Sequence, residues 1–233
     1  FLNNKKVVAK DDETIWNVAK REGITLPHLC FADKPGYRAD GNCRACMVSI
    51  EGERVLAASC IRKPTEGMKV LTNDERSIKS RKMVLELLVT DQPDRETSHD
   101  PDSHFWKIAS DIDVEKSRFE KREKKIVPCE DSSHVAMSVN LDACIHCNLC
   151  VRACREVQVN DVIGMGNRGH HSKVVFDFND PMGDSSCVSC GECVQACPTG
   201  ALMESNLLDD NGTKNAKPCL LYTSDAADDV ECV

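Results

Sequence analysis

Two copies of one cysteine pattern decide how the C-terminal half of this chain folds. They are Cys144-Ile-His-Cys147-Asn-Leu-Cys150-Val-Arg-Ala-Cys154 and Cys187-Val-Ser-Cys190-Gly-Glu-Cys193-Val-Gln-Ala-Cys197-Pro198. Both read C-x2-C-x2-C-x3-C and share a Val and an Ala at matching positions, so we interpret them as an internal duplication. A loop with this spacing wraps a [4Fe–4S] cubane with three thiolates, and the fourth cysteine, on the following helix, points to the other cluster.

The duplication therefore predicts two [4Fe–4S] sites that exchange their fourth ligands. The first set is Cys144, Cys147, Cys150 and Cys197. The second set is Cys187, Cys190, Cys193 and Cys154. Pro198 follows the second run, as is usual for this pattern, but Arg155 follows the first. We expect this departure to change the local turn and not the ligation.

Four earlier cysteines form a different pattern. Their spacing is C-x12-C-x2-C-x13-C, and they are Cys30, Cys43, Cys46 and Cys60. Four thiolates suffice for a [2Fe–2S] cluster, which takes two on each iron. A zinc ribbon usually pairs two short C-x2-4-C knuckles, and only one short pair exists here, so the spacing favours iron. The first interval is longer than in plant ferredoxins, and Gly36 and Gly41 let this long loop fold back.

The sequence around these four cysteines predicts a small β-grasp domain. Strand-like pieces at Lys6–Ala9 and Cys46–Ile50 flank a helical pattern over Thr14–Gly23. Thr14 suits the start of that helix, and Gly23 suits a left-handed residue at its end. A strand, helix, strand order with a long cysteine-bearing loop is typical of this fold.

Two further elements are predicted outside the first domain. The stretch Asn73–Thr90 opens with capping residues and then places Ile78, Leu85 and Leu88 at helical spacing, which indicates a helix. Val174–Phe178 reads as one strand of a hairpin inserted between the two C-terminal cysteine runs.

These observations together predict an α+β chain of several parts. They are a [2Fe–2S] β-grasp ferredoxin domain at 1–72, a helical and irregular linker at 73–135, a two-[4Fe–4S] bacterial-ferredoxin-like domain at 136–205, the start of a linker to a further domain at 206–218, and a disordered artefact at 219–233.

Composition indicates where the protein is located and whether its cysteines bind metal or form disulfides. No stretch approaches the roughly 18 apolar residues that suggest a membrane span, and no export signal opens the chain. In a reducing cytosol, fifteen cysteines favour metal binding over disulfides, and their odd number also disfavours a closed disulfide framework. We therefore expect a cytoplasmic metal-binding protein in which Cys129, outside all three sets, is a free thiol.

The two ends of the sequence look artificial. The chain begins at Phe1 without a methionine, and we expect it to be cut at the front. Residues 219–229 back-translate into a transposase sequencing adapter, so we expect the biological chain to stop near Pro218; a genuine acidic tail is the alternative. Removing the four acidic residues of 219–233 changes the formal charge from −8 to −4. Neither value provides the basic field that nucleic-acid binding needs.

At its first four cysteines the sequence resembles the N-terminal domain shared by formate dehydrogenase alpha subunits, the large electron-transfer subunit of complex I and the diaphorase part of NAD-reducing hydrogenases. Asn140–Asn160 and Asp161–Met165 look most like molybdenum- or tungsten-dependent formate dehydrogenase alpha subunits. This resemblance implies electron transfer in an enzyme that oxidises formate to CO2, coupled to NAD or another acceptor. It also implies a catalytic domain outside this sequence, with a further [4Fe–4S] cluster and bis-molybdopterin, and a partner subunit that binds flavin and NAD.

Two alternatives remain open. In the complex I and hydrogenase relatives, the segment after the first helix carries one histidine and three cysteines for another cluster. Here that segment holds His99 and His104 but no cysteine. This absence weakens the interpretation of the chain as a diaphorase or complex I type subunit. We expect both histidines to be structural or solvated. The other alternative is a scaffold protein with structural zinc. No dinucleotide fingerprint, phosphate loop or nucleophile beside a base is present, so we expect no catalytic residue in this chain.

Overall fold

Helix α1 (Ile15–Arg21) begins and ends where its capping residues place it. In the computed structural model, which describes residues 1–121 and 130–214, the Thr14 hydroxyl accepts from the Asn17 N–H while the Asn17 side chain accepts from the Thr14 N–H. Such a reciprocal pair satisfies two donors that would otherwise lack partners. Gly23 follows with φ +77°, so the predicted left-handed end is confirmed.

A small antiparallel sheet lies beside α1. Strand β1 (Met47–Ile50) is central, with β2 (Ala57–Ala58) on one side and β3 (Val70–Leu71) on the other. The register pairs Val48 with Ala57 and Ile50 with Val70. Its buried residues share one apolar core with α1. The strand predicted over Cys46–Ile50 is thus confirmed.

The predicted strand over Lys6–Ala9 is wrong. These residues join no ladder, and Val8 is 78% exposed. Pairing occurs earlier in the chain, where the buried Leu2 bridges Val70 in parallel. Leu2 is apolar and reaches the core, whereas Val8 has no core to cover it. The β-grasp arrangement therefore remains a prediction, while the mixed helix and strand content is found.

The buried face of helix α2 (Glu75–Asp91) includes polar side chains, so the hydropathy pattern of the sequence does not predict it. Its buried side chains recur every four residues and are Ser77, Arg81, Leu85 and Val89. Ile78, which the sequence pattern assigned to the apolar stripe, is 39% exposed. The polar side chains can be buried because they have partners: Arg81 donates to the Thr72 carbonyl, and the Ser77 hydroxyl lies 3.1 Å from that of Ser49.

Helix α3 (His104–Asp111) joins the two cysteine regions through a shared core. Phe105 is fully buried in a cluster that includes Leu29 from the first region, and Ile145 from the second packs against it. The Phe105 N–H also donates to the Pro198 carbonyl at 2.8 Å. The helices of the predicted linker thus pack against both neighbours.

The second cysteine region is closed by two of its own strands. These are β4 (Met137–Val139) and β7 (Leu202–Glu204), which pair antiparallel. Between them lie helix α4 (Leu149–Arg152), a π-helical turn (Ala153–Val157), the hairpin strands β5 (Ile163–Gly166) and β6 (Lys173–Phe176), and helix α5 (Glu192–Ala196). The hairpin confirms the strand predicted near Val174.

Short 3-10 turns connect these elements. They cover Arg95–Thr97, Leu141–Ala143, Gly169–His171, Met182–Asp184 and Ser205–Leu207. Within the described ranges, no helix is both long and apolar enough to cross a membrane. The predictions for Cys129 and for 219–233 concern residues outside those ranges.

Candidate metal centres

The two C-x2-C-x2-C loops follow the same backbone path. His146 and Ser189 have φ of +54° and +59°, and Asn148 and Gly191 have φ of +61° and +73°. The amide nitrogens of His146 and Ser189 each lie 3.4 Å from the sulfur of the first cysteine in the same loop. Left-handed residues at these positions turn the chain tightly and direct its N–H groups toward sulfur. The matching angles support an internal duplication.

The cysteines assigned to the first [4Fe–4S] site lie around one small cavity. They are Cys144, Cys147, Cys150 and Cys197. Burial raises the pKa of Cys144 to about 11 and raises those of Cys147 and Cys150 further, with the neighbouring thiols adding to the effect. Buried thiols of this kind lose their protons when they coordinate a metal. The cavity therefore combines cysteines from both runs, which is the arrangement that an exchange of fourth ligands would need.

The cysteines assigned to the second [4Fe–4S] site also lie together. Burial, with smaller contributions from the nearby thiols of Cys187, Cys190 and Cys154, raises the pKa of Cys193 to about 12. The Val162 N–H lies 3.3 Å from the Cys154 sulfur. Cys190 is exposed, unlike the other members of this set, so this site reaches the protein surface.

The four cysteines of the first region make direct contacts with one another. Hydrogen bonds from Cys43 and Cys60 lower the pKa of Cys30 to about 2, and a hydrogen bond from Cys60 lowers that of Cys46 to about 6. The pKa values of Cys43 and Cys60 are raised in return, because each shares its proton with an anionic neighbour. Four sulfurs that touch in this way can surround a compact cluster.

The loops around these four sulfurs depend on small residues. Gly36 and Gly41 have φ of +84° and +63°, which side chains rarely adopt. A Cβ at Gly41 would lie 2.8 Å from the Ile61 side chain. Ala45 and Ser59 are fully buried beside the ligands, and the Ser59 hydroxyl donates to the carbonyl of Cys46 at 2.8 Å.

The donor set fits iron–sulfur clusters. All twelve assigned cysteines are free thiols. Among the residues that the structure describes, no three histidine, cysteine or acidic side chains converge closely enough for a single metal ion. Twelve thiols in three sets of four are the donors that one [2Fe–2S] and two [4Fe–4S] clusters need.

The turn after the first run differs from that after the second, as Arg155 predicts. The chain continues from Cys154 in the π-helical turn, whereas Cys197 leaves helical geometry with ψ +116° before Pro198. Proline disfavours helical geometry in the residue before it, and arginine imposes no such limit. The Cys154 thiol still lies among those of the second set.

His99 and His104, the two histidines of the predicted linker, each form hydrogen bonds with other parts of the protein. His99 is buried, with Nδ1 3.2 Å from the Gly200 carbonyl oxygen and Nε2 3.1 Å from Glu130 Oε1. His104 Nε2 donates to the carbonyl oxygen of His28 at 2.9 Å. These contacts agree with structural roles.

Sequence reasoning missed the residues that join the two cysteine regions. The long interval after Cys30 packs against the second region: the Tyr37 hydroxyl donates to Glu192 at 2.8 Å, and Arg38 pairs with Glu156 at 2.9 Å. The only signal in the sequence was the unusual length of this interval. No local pattern indicates which partner each side chain meets.

Comparison with known proteins assigns both cysteine regions to families. Residues 1–75 match the 2Fe-2S iron–sulfur cluster binding domain, and residues 143–201 match the 4Fe-4S dicluster domain. A crystal structure of an NAD+-reducing [NiFe]-hydrogenase shares the fold, with a TM-score of 0.76 and 24% identity over 88% of this chain and 86% of that one.

Curated relatives are longer oxidoreductases. The NADP-reducing hydrogenase subunit HndD of Solidesulfovibrio fructosivorans is 31% identical over 87% of this chain and 35% of its own length. A Staphylococcus haemolyticus protein assigned as a formate dehydrogenase is 29% identical over 88% of this chain and 20% of its own length. The Bacillus subtilis protein YjgC, assigned as an oxidoreductase, is 26% identical over 91% of this chain and 21% of its own. The chain thus carries a 2Fe-2S cluster binding domain and a 4Fe-4S dicluster domain, and it is related to hydrogenase and formate dehydrogenase polypeptides.

Proposed function

We propose that this chain relays electrons through one [2Fe–2S] and two [4Fe–4S] clusters. The observation that carries the proposal is that twelve free cysteines lie near one another in three sets of four. The [2Fe–2S] ligands are Cys30, Cys43, Cys46 and Cys60. The [4Fe–4S] ligands are Cys144, Cys147, Cys150 and Cys197 in the first site and Cys187, Cys190, Cys193 and Cys154 in the second. Such clusters, when bound, accept and release single electrons at potentials set by their surroundings.

The surrounding residues provide what such a relay needs. Buried apolar side chains, among them Leu149, Val162 and Leu202, keep water from the [4Fe–4S] sites. Backbone N–H groups donate to ligand sulfurs and so favour the reduced state. The exposed Cys190 gives the second [4Fe–4S] site access to a partner surface. Cys30 of the proposed [2Fe–2S] site lies near Cys147 of the proposed first [4Fe–4S] site. These two sites are therefore neighbours in the proposed relay.

The finer proposal is that the relay serves a formate dehydrogenase. Its support is the relationship to proteins assigned to that activity, together with the segment 91–106, which lacks the cysteines that the complex I and hydrogenase relatives carry there. The chain corresponds to 20% of the length of such a relative. From the family resemblance, the proposal adds a formate-oxidising domain, with bis-molybdopterin and one further [4Fe–4S] cluster, in a longer polypeptide. A flavin and NAD-binding subunit in the cytoplasm is the proposed electron partner.

A hydrogenase role is the second candidate. It is favoured by one specific observation, the 31% identity to the NADP-reducing hydrogenase subunit. The relay itself would serve either enzyme, because each needs single-electron carriers between its catalytic centre and a nicotinamide nucleotide.

Cluster content tests the relay. The chain is purified without oxygen and its iron and acid-labile sulfide are counted, with roughly ten of each expected per chain. EPR of the reduced protein should show [2Fe–2S] and [4Fe–4S] signals. Zinc without acid-labile sulfide would overturn the proposal in favour of the scaffold alternative.

Substrate choice is tested in the complete native enzyme that contains this chain. We expect formate, and not hydrogen, to reduce its clusters, as seen by EPR. Reduction by hydrogen alone would replace the formate role by the hydrogenase role and would leave the relay intact.

A further inference from the structure

Arg152 is a buried cation between the first two cluster sites. It ends helix α4, two residues after the ligand Cys150, and its side chain is only 3% exposed. Arginine is rarely buried without specific partners, because removing its charge from water is costly. Its partners therefore indicate what keeps it there.

The guanidinium binds main-chain groups of one ligand from each site. Its Nη2 donates to the carbonyl oxygen of Cys30 at 2.7 Å and to that of Cys147 at 3.3 Å. Nη1 donates to the Arg38 carbonyl oxygen, and Nε lies 3.3 Å from the carboxylate of Asp40. One side chain thus contacts a proposed [2Fe–2S] ligand and a proposed [4Fe–4S] ligand through the same nitrogen.

We propose that Arg152 is a positioning residue that fixes the [2Fe–2S] site against the first [4Fe–4S] site and raises the reduction potentials of both. This inference rests on the proposed relay. A buried positive charge favours an added electron, and it acts strongly where water does not screen it. Asp40 offsets part of that charge, so the Arg152–Asp40 pair sets the net charge between the two cluster sites.

Removing the charge of Arg152 and removing the charge of Asp40 should shift the cluster reduction potentials in opposite directions. In the complete chain, Arg152→Gln should lower the potentials of the [2Fe–2S] and first [4Fe–4S] clusters, with a smaller shift at the second [4Fe–4S] cluster. Asp40→Asn should raise the first two. Arg152→Lys, which keeps the charge, should leave the potentials close to those of the wild type. Redox titrations followed by EPR measure all three, and the signal lost in Cys144→Ser identifies the first [4Fe–4S] cluster.

Arg155→Gln is the matched control. Arg155 lies three residues along the same segment and carries the same charge, but its side chain is 56% exposed and pairs with Asp161. Solvent screens such a charge, so its removal should shift the potentials less than Arg152→Gln does.

The outcomes separate this inference from the relay itself. Wild-type protein without the three clusters would remove the proposed function. Three intact clusters, with potentials that do not move in Arg152→Gln or that move in the same direction in Arg152→Gln and Asp40→Asn, would overturn only the role of Arg152. Misfolding does not explain shifts of opposite sign, because a loss of structure would not lower the reduction potentials in one variant and raise them in the other.

Discussion

Cys154 and Cys197 are the residues on which the exchange of ligands depends. Each ends one cysteine run, yet the Cys197 thiol borders the cavity of the first run and the Cys154 thiol neighbours those of the second. Exchange is expected because, in two-cluster ferredoxins with this spacing, the fourth cysteine of each run binds the other cluster. Both residues should therefore hold the cluster of the other run.

Paired substitutions test this exchange. Cys197→Ser with Cys144→Ser should remove ligands from one cluster only and leave about six iron atoms per chain. Cys197→Ser with Cys187→Ser should damage both [4Fe–4S] clusters and leave about two. Iron analysis after anaerobic purification measures the difference. Ligation without exchange would reverse the two results.

His104 gives a pH dependence with a defined sign. Burial, with a smaller contribution from Lys107, lowers its pKa in the folded protein. The unfolded chain has the ordinary value near 6.5 and so binds more protons as the pH falls below it. Folding stability contributed by neutral His104 is therefore lost as the pH falls below about 6.5 toward the folded pKa. His104→Gln keeps a donor for the His28 carbonyl and should weaken this dependence.

Urea unfolding at about pH 7 and pH 5 measures the effect of His104→Gln. The difference between the two free energies of unfolding should be smaller in the variant than in the wild type. His171→Gln, at an exposed histidine, serves as the control and should keep the wild-type difference. An unchanged difference in His104→Gln would contradict the assigned role.

At the scale of elements, local signals predicted local structure. Thr14 and Gly23 marked the ends of α1 because capping involves residues only a few positions apart. The matching turns of the two C-x2-C-x2-C loops were predictable for the same reason, since their three cysteines lie within seven positions. The polar buried face of α2 was missed because the partner of Arg81, the Thr72 carbonyl, lies outside the helix, in the bend that follows β3. Arg152 was missed likewise, since its partner Cys30 lies 122 positions away.

The long loop of the first region depends on Gly41. Gly41→Ala should destabilise the protein by more than the ~1–2 kcal/mol that left-handed geometry alone costs a non-glycine residue. The extra cost arises because the new Cβ would lie 2.8 Å from Ile61. Thermal unfolding of the cluster-loaded chain, followed by circular dichroism, measures the change.

Gly23→Ala is the control for Gly41→Ala. Gly23 has φ +77° but no atom within 4 Å of the position of a Cβ, so its substitution carries the backbone cost alone. Ile61→Val in the Gly41→Ala background should recover part of the loss by removing the contacting methyl group. Equal destabilisation in Gly23→Ala and Gly41→Ala would show that the contact with Ile61 has no effect.

At the scale of the whole molecule, three buried cores support the cluster sites. One lies between α1 and the small sheet, one surrounds the [4Fe–4S] cysteines, and one lies around Phe105. The Phe105 core contains residues from both cysteine regions and from both middle helices. Such a shared core couples the stability of the regions, which a sequence pattern cannot show because it concerns contacts between distant segments.

Phe105→Ala tests this coupling. Loss of a fully buried phenylalanine typically costs about 3–5 kcal/mol through lost burial and the cavity left behind. Because the core joins both cysteine regions, we expect the [2Fe–2S] and [4Fe–4S] signals to disappear together, at a lower urea concentration than in the wild type. Absorbance and EPR along a urea series measure both.

The control for Phe105→Ala is Phe119→Ala, at a residue that is 40% exposed and packs beneath Arg118. It removes the same number of atoms without opening a buried cavity, so its urea midpoint should stay near that of the wild type. If Phe105→Ala instead lost its [4Fe–4S] signals while the [2Fe–2S] signal kept its wild-type midpoint, the two regions would unfold independently. Coupled loss is expected because Leu29 from the first cysteine region and Ile145 from the second both pack in the cluster around Phe105.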